Sequence, residues 1–304
     1  MLPDDVLLEI FNFFVEEEGR GLKVDSEEWQ TLVHVCRRWR NLVFGSPRRL
    51  DLRLICSEKT PARDTLDVWP ALPLIILYYE REGADNIVAV LERSDRVCKI
   101  DLTNLGRSDL EQLSAAMQVP FPELTFLRLF SNGETVSALP DSFLGGSAPR
   151  LEFLSLKGIP FPGLPKLLLS ATHLVTLQLR DIPHSGYFSP EAIVTAFSTL
   201  THLVNLRLLF VSPQSRPDPE HQHPPPTTRS VLPNLRYFQF KGDSEYLEVV
   251  MAPIDAPRLD HLDIIFSNDI VFDTPQLTQF ISRTPIMLAL EEAHVTFYGN
   301  AAAV

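Results

Sequence analysis

Cysteine is scarce in this 304-residue chain: Cys36, Cys56 and Cys98 are an odd number with no metal-ligand spacing. They read as reduced, buried thiols of an intracellular protein, not as a disulfide framework. Glycine is scarce too, and Gly145-Gly146 lacks the Lys-Ser/Thr that would follow in a phosphate loop. Positive charge is in deficit. The formal net charge is −12, which argues against nonspecific binding to nucleic acid or acidic membranes. No apolar run approaches the roughly 20 residues of a membrane helix. The N-terminal apolar stretch has no basic lead and is interrupted by Asp4, Asp5 and Glu9, unlike a secretory signal. Gly-x-Ser-x-Gly and His-Glu-x-x-His are absent. Cys36 and Cys98 lack a neighbouring base, and Asp101 and Asp263 read as surface carboxylates. The expectation is a protein that is not an enzyme and needs no cofactor or metal.

What is present begins at the N-terminus. Pro3 suits the first turn of a helix. Val6, Leu7, Ile10, Phe11 and Phe14 follow at helical spacing, until Glu16 to Gly21 breaks the stripe. A second helix is expected from an N-cap at Ser26, with Trp29, Leu32, Cys36, Trp39 and Val43 on one face and Ser46-Pro47 as its stop. So short a segment cannot bury both stripes. The surplus is either a docking surface or a cap for the domain that follows.

A second pattern fills the remainder: Leu-x-x-Leu-x-Leu. It occurs as Leu124-Leu127-Leu129, Leu151-Leu154-Leu156, Leu174-Leu177-Leu179 and Leu203-Leu206-Leu208. Degenerate copies start at Val97, Leu235 and Leu259, and weaker ones at Leu72 and Leu290. Pro122, Pro149, Pro233 and Pro257 mark the turn into four copies. Helical spacing intervenes, opened by caps at Ser108, Ser189-Pro190 and Thr274-Pro275. Strand alternating with helix at this period predicts an α/β solenoid with parallel strands on its inner, concave face. An ordinary α/β domain is the competing fold. Residues 212–230, with Pro224-Pro225-Pro226 and the pair His221 and His223, read as a solvated proline-rich loop lacking a third metal ligand.

Residues 2 to 47 carry a more specific likeness. Leu2-Pro3-Asp4-Asp5-Val6-x-x-Glu9-Ile10-Phe11, followed by Val35-Cys36-Arg37-x-Trp39-Arg40-x-Leu42, resembles the F-box, a small three-helix module. The copies after it are similar to irregular leucine-rich repeats, giving an F-box-like module at 1–47 and a repeat domain at 48–304. The middle of the module departs from the family pattern at Glu16-Glu17-Glu18-Gly19-Arg20-Gly21. The resemblance implies a substrate receptor of an SCF-type cullin–RING ubiquitin ligase. It would bind a Skp-type adaptor through Leu2, Pro3, Val6, Leu7, Ile10, Phe11, Val35, Cys36, Trp39 and Leu42. The alternative is a repeat scaffold outside any ligase, its terminal helices acting as a cap; an unrecognised hydrolase is a distant third. The motif's start at Leu2-Pro3 with no lead-in, and an end soon after Phe297, read as a short or incomplete gene product.

Strand alternation also selects a recognition face. The residues between the core leucines include Phe126, Arg128, Phe153, Lys157, Arg180, Arg207, Tyr237 and Lys241. This face is locally basic in an acidic protein and carries aromatic area suited to binding. The expected occupant is a protein target with an acidic or phosphorylated segment, lying along one row formed by Arg128, Lys157, Arg180 and Arg207.

Overall fold

The structure, a computed structural model, describes residues 2–19, 29–47, 49–50, 52–57, 59, 66–79, 83–132, 137–211, 229–266 and 274–288. Its strands are β1 (Leu54–Ser57), β2 (Leu74–Tyr78), β3 (Val97–Leu105), β4 (Phe126–Ser131), β5 (Phe153–Lys157), β6 (Thr176–Ile182), β7 (Asn205–Phe210), β8 (Ser230–Val231), β9 (Tyr237–Gly242), β10 (Ile254–Asp255) and β11 (His261–Phe266). Nine of them form one parallel sheet in chain order, β1-β2-β3-β4-β5-β6-β7-β9-β11, while β8 and β10 pair separately. The helices are α1 (Asp4–Gly19), α2 (Trp29–Val35), α3 (Arg37–Gly45), α4 (Ala84–Leu91), α5 (Arg107–Ala116), α6 (Leu164–Leu168), α7 (Pro190–Phe197), α8 (Ser244–Met251), α9 (Pro275–Arg283) and α10 (Pro285–Leu288).

The leucine spacing explains the sheet. Leu127 and Leu129, Leu154 and Leu156, Leu177 and Leu179, and Leu206 and Leu208 are all buried, and they stand in register across β4 to β7. The first leucine of each copy closes a tight turn. The amides of Leu124, Leu151, Leu235 and Leu259 donate to the carbonyls of Phe121, Ala148, Leu232 and Ala256 at 3.1–3.3 Å. The four prolines occupy the second position of those turns, where a fixed φ is already correct. Thr172 and Thr201 take that position in the turns into β6 and β7. The copy expected at Leu290 lies outside the described residues, as do residues 212–228 of the proline-rich segment.

Strand β1 follows from a simpler signal that the leucine pattern overlooks. Leu50, Leu52, Leu54 and Cys56 alternate and are all buried, and β1 pairs in parallel with β2. Two strands bulge: Leu102 and Leu105 of β3 oppose Leu129 and Ser131, and Leu179 and Ile182 of β6 oppose Leu208 and Phe210. The extra residues, Asn104 at φ 58° and Asp181 at φ 51°, are types that tolerate left-handed backbone. After β5, Gly158 at φ +66° donates its amide to the Arg180 carbonyl at 3.0 Å. A Cβ there would lie 2.8 Å from the Ser131 carbonyl oxygen, so only glycine fits.

Helix ends depart from expectation in three places. The anticipated second N-terminal helix is broken at Cys36, whose φ of −160° and ψ of 166° are extended, giving α2 and α3. Ser26, its expected cap, lies outside the described residues. Gly106, not Ser108, precedes α5, and the Asp109 carboxylate accepts the Gly106 amide at 3.2 Å. Ser189 caps α7 as its spacing implies, its hydroxyl accepting the Ala192 amide at 3.2 Å. At α9 the Thr274 side chain makes no cap bond. Glu248 of α8 accepts the amides of Gln276 at 2.8 Å and Leu277 at 2.9 Å instead.

The N-terminal helices share one core with the sheet, a cluster running from Leu7 to Phe280. Trp29 donates its indole N–H to the Arg53 carbonyl at 3.0 Å and meets Trp69 edge-on at 5.2 Å between ring centres. Phe44 and His34 also pack on Trp69. Among the described residues, no helix is long and apolar enough to cross a membrane.

Candidate functional site

Two surfaces stand out. The first is the sheet face opposite the buried leucines, where strand register arranges side chains in rows. One row runs Lys99, Phe126, Phe153, Thr176, Asn205, Tyr237, His261. The next runs Asp101, Arg128, Ser155, Gln178, Arg207, Gln239, Asp263. A third holds Phe130, Lys157 and Arg180. It is interrupted by the β6 bulge, beyond which Lys241 registers with Leu209 and Ile265. Phe126, Arg128, Phe153, Lys157, Arg180, Arg207, Tyr237 and Lys241 all lie on these strands and are only partly buried. The basic residues do not form one row, however. Arg128 and Arg207 share the middle row, and Lys157 and Arg180 lie in the next.

The rows are cross-linked. Phe126 and Phe153 stack at 4.3 Å with planes 3° apart, and Tyr237 and His261 stack at 4.6 Å with planes 8° apart. Between the two stacks, Asn205 donates to the Thr176 hydroxyl at 3.4 Å. The Arg128 guanidinium lies 5.2 Å from the Phe126 ring centre and 5.7 Å from those of Phe130 and Phe153, and Arg207 lies 4.9 Å from that of Tyr237. Lys99 covers Phe126 at 4.6 Å. Such contacts hold a cation in place while leaving its N–H groups for an anion.

Asp101 is not the surface carboxylate anticipated. It is 3% exposed, and its Oδ2 accepts from Arg128 Nη1 at 3.0 Å. Burial pushes its carboxyl above the usual range, opposed by Arg128 and Lys99. Asp263 accepts from Gln239 at 2.7 Å. Arg180 donates Nη2 to Gln178 Oε1 at 2.5 Å, folding back along β6 toward the middle row. Lys157 sits 3.8 Å from Asp181.

The second surface is on the N-terminal helices. Leu2, Val6, Ile10 and Phe13 recur at helical spacing, and all four are exposed, Leu2 by 52%. Phe13 joins this stripe, and the side chain of Phe14, expected in it from helical spacing, lies outside the described residues. Arg38 donates to the Leu2 carbonyl at 2.6 Å and to Asp4, so α3 begins beside the start of α1. Pro3, Val35 and Cys36 are exposed as well. Leu42 and Asp4 line an open groove of about 550 Å³ with Arg37, Arg38, Asn41, Gly45 and Ser46.

Two of the expected docking residues have another role. Leu7 is buried and Phe11 is wholly so, packed on half-buried Trp39 at 4.7 Å between ring centres. They hold the helices together and offer no surface. The cysteines differ from expectation as well. Cys56 is buried, Cys98 is half-buried with its thiol 3.3 Å from the Leu74 carbonyl, and Cys36 is exposed at the helix break. Among the described residues, no group of three or more His, Cys, Asp or Glu side chains is placed to hold a metal ion. No protein-family model matches this sequence, and no curated protein matches it.

Proposed function

We propose that this chain is a substrate receptor of an SCF-type cullin–RING ubiquitin ligase, an F-box-like module followed by an irregular leucine-rich-repeat arc. The observation that supports it best is the division of labour in the N-terminal helices. Leu7, Phe11, Trp29 and Val33 are buried in the core, while Leu2, Val6, Ile10 and Phe13 along α1 and Val35 at the end of α2 stay exposed. An apolar patch of that kind suits a protein partner, here the Skp-type adaptor. The open face of the sheet, taken as the concave side of the arc, would hold the target protein. The mechanism is proximity: the receptor places target lysines near a ubiquitin-charged enzyme and performs no chemistry itself. An intracellular location belongs to the same proposal.

A second reading has its own support. The core of the helices is continuous with that of the sheet, through Trp29, Phe44 and Trp69, as expected of a cap on a scaffold outside any ligase.

Co-purification with a Skp-type adaptor and cullin separates the two. The wild-type chain is expected to capture both. The double substitution Ile10→Glu and Val35→Glu is expected to abolish capture with little change in stability, because exposed sites usually shift it by no more than about 0.5 kcal/mol. A wild-type chain that captures no adaptor supports the scaffold and overturns the ligase.

A further inference from the structure

The open face holds two aromatic stacks in one row, and the two strands between them carry short side chains there. Phe126 and Phe153 stand one strand step apart with planes parallel to within 3° at 4.3 Å. Rings so close and so parallel meet face to face, along the direction of the row. The outer face of Phe126 is covered by Lys99 at 4.6 Å. The second face of Phe153 looks the other way, toward Thr176 and then Asn205. Among the described residues, the Phe153 ring contacts Phe126 and, at 5.7 Å, the guanidinium of Arg128, which belongs to β4 on the Phe126 side. Phe153 is only half-buried, and its second face has no stacking partner among the described residues.

Arg207 stands at the far end of this gap. Its guanidinium lies 4.9 Å from the Tyr237 ring centre, and His261, on the strand beyond, stacks on Tyr237 from the other side. Arg207 is half-buried and, among the described residues, has no acidic partner. The carboxylates of the face are engaged elsewhere, Asp101 by Arg128 and Asp263 by Gln239. A guanidinium resting on a ring keeps its N–H fork for an anion. From Phe153 to Tyr237 is three strand steps, roughly 14 Å. A ring stacked on Phe153 as closely as Phe126 is would leave the guanidinium about 5 Å beyond it. Side chains on one face of an extended segment recur every ~6.5 Å. A carboxylate two residues from such a ring therefore reaches Arg207.

We infer that this gap anchors an aromatic residue and a carboxylate two positions apart in an extended segment of a partner protein. The aromatic ring stacks on Phe153, the carboxylate pairs with Arg207, and Thr176 and Asn205 form the floor between them. The wider charge pattern favours the same occupant. Lys99, Arg128, Lys157 and Lys241 lie on this face of a chain whose net charge is −12. An acidic segment is drawn to such a face and repelled by the rest of the protein. The inference rests on the open face being the target-binding surface, and adds which side chains a target must carry. It does not depend on the ligase.

The test uses the full chain and fluorescent peptides with randomised flanks around a fixed centre, Phe-x-Glu or Glu-x-Phe. Two matched pools replace the phenylalanine by alanine or the glutamate by glutamine. Wild type is expected to bind the parent pool about tenfold more tightly than the alanine pool and about fivefold more tightly than the glutamine pool. Arg207→Gln is expected to lose the preference for glutamate and keep that for phenylalanine. Phe153→Leu is expected to do the reverse. A variant that merely misfolds would lose both preferences together, so the split reports the two contacts. Equal binding of the three pools by wild type overturns the inference, and so does Arg207→Gln with both preferences unchanged. Adaptor capture by wild type is read alongside. Its failure with both preferences intact removes the ligase reading alone; capture without either preference removes the anchor site alone.

Discussion

Single residues carry much of the specificity of this structure, and Tyr246 shows how burial sets their chemistry. Its ring lies among Tyr187, Phe210 and Phe240, and its hydroxyl donates to the Phe188 carbonyl at 3.2 Å. Burial, with smaller help from Tyr187 and Glu191, holds its pKa well above the ordinary tyrosine value. An acid whose folded pKa is raised contributes stability that is complete below the unfolded pKa, near 10, and is lost as pH rises from there through the folded value. Chemical denaturation at stepped pH is therefore expected to show stability falling above about pH 10. Tyr246→Phe is expected to flatten that fall, at a cost of about 1 kcal/mol at neutral pH for the lost hydrogen bond. Equal alkaline loss in both proteins would refute this account. At this scale the positions of Arg128, Arg207 and Tyr237 were legible from alternation alone. The buried pairing of Asp101 was not, because burial of a carboxylate depends on the long side chains of the neighbouring strand.

At the scale of elements, repetition does most of the work, and its exceptions are tertiary. Each proline turn is a local event, readable from four residues. The cap of α9 is not: Glu248 reaches from α8, 28 residues before Gln276, to satisfy amides that Thr274 leaves free. Glu248→Ala is expected to destabilise the protein by about 1 kcal/mol, the usual worth of a side-chain cap, whereas Thr274→Ala is expected to be nearly neutral. Thermal unfolding of both variants decides between them, and the reverse order would show that Thr274 supplies the cap. The break at Cys36 teaches the same lesson. The apolar stripe from Trp29 to Val43 is periodic enough for one helix, yet the chain extends at Cys36 and restarts. Periodicity reports which face is apolar and is silent about a turn inserted between two helices whose stripes stay in phase.

The described residues share one core, and this ties the N-terminal helices to the sheet energetically. Trp29 is the link, buried against Trp69 and Phe44 and bonded to Arg53 just before β1. Trp29→Ala is expected to cost about 3–5 kcal/mol, as for other large-to-small core changes. The loss is expected to reach beyond the helices: hydrogen exchange should quicken in Leu54–Ser57 along with α2 and α3. Exchange confined to the helices would mean that they open as an independent unit.

Sequence alone determined the α/β alternation, the frame of most strands, the proline turns and the residues that share the open face. All of these follow from spacings of two, three or four residues, which strand and helix geometry translate directly into faces. Tertiary structure decided which apolar residues of the N-terminal helices are free: Leu7 and Phe11 lie in the same stripe as Ile10, yet they are buried in the core, Phe11 against Trp39, while Ile10 is exposed. It also decided how the cations group. Arg128 and Arg207 stand in one row across the sheet, Lys157 and Arg180 in the next, and Arg180 bonds back to Gln178 of its own strand. Register across strands far apart in the chain is a property of the sheet, and no local pattern encodes it.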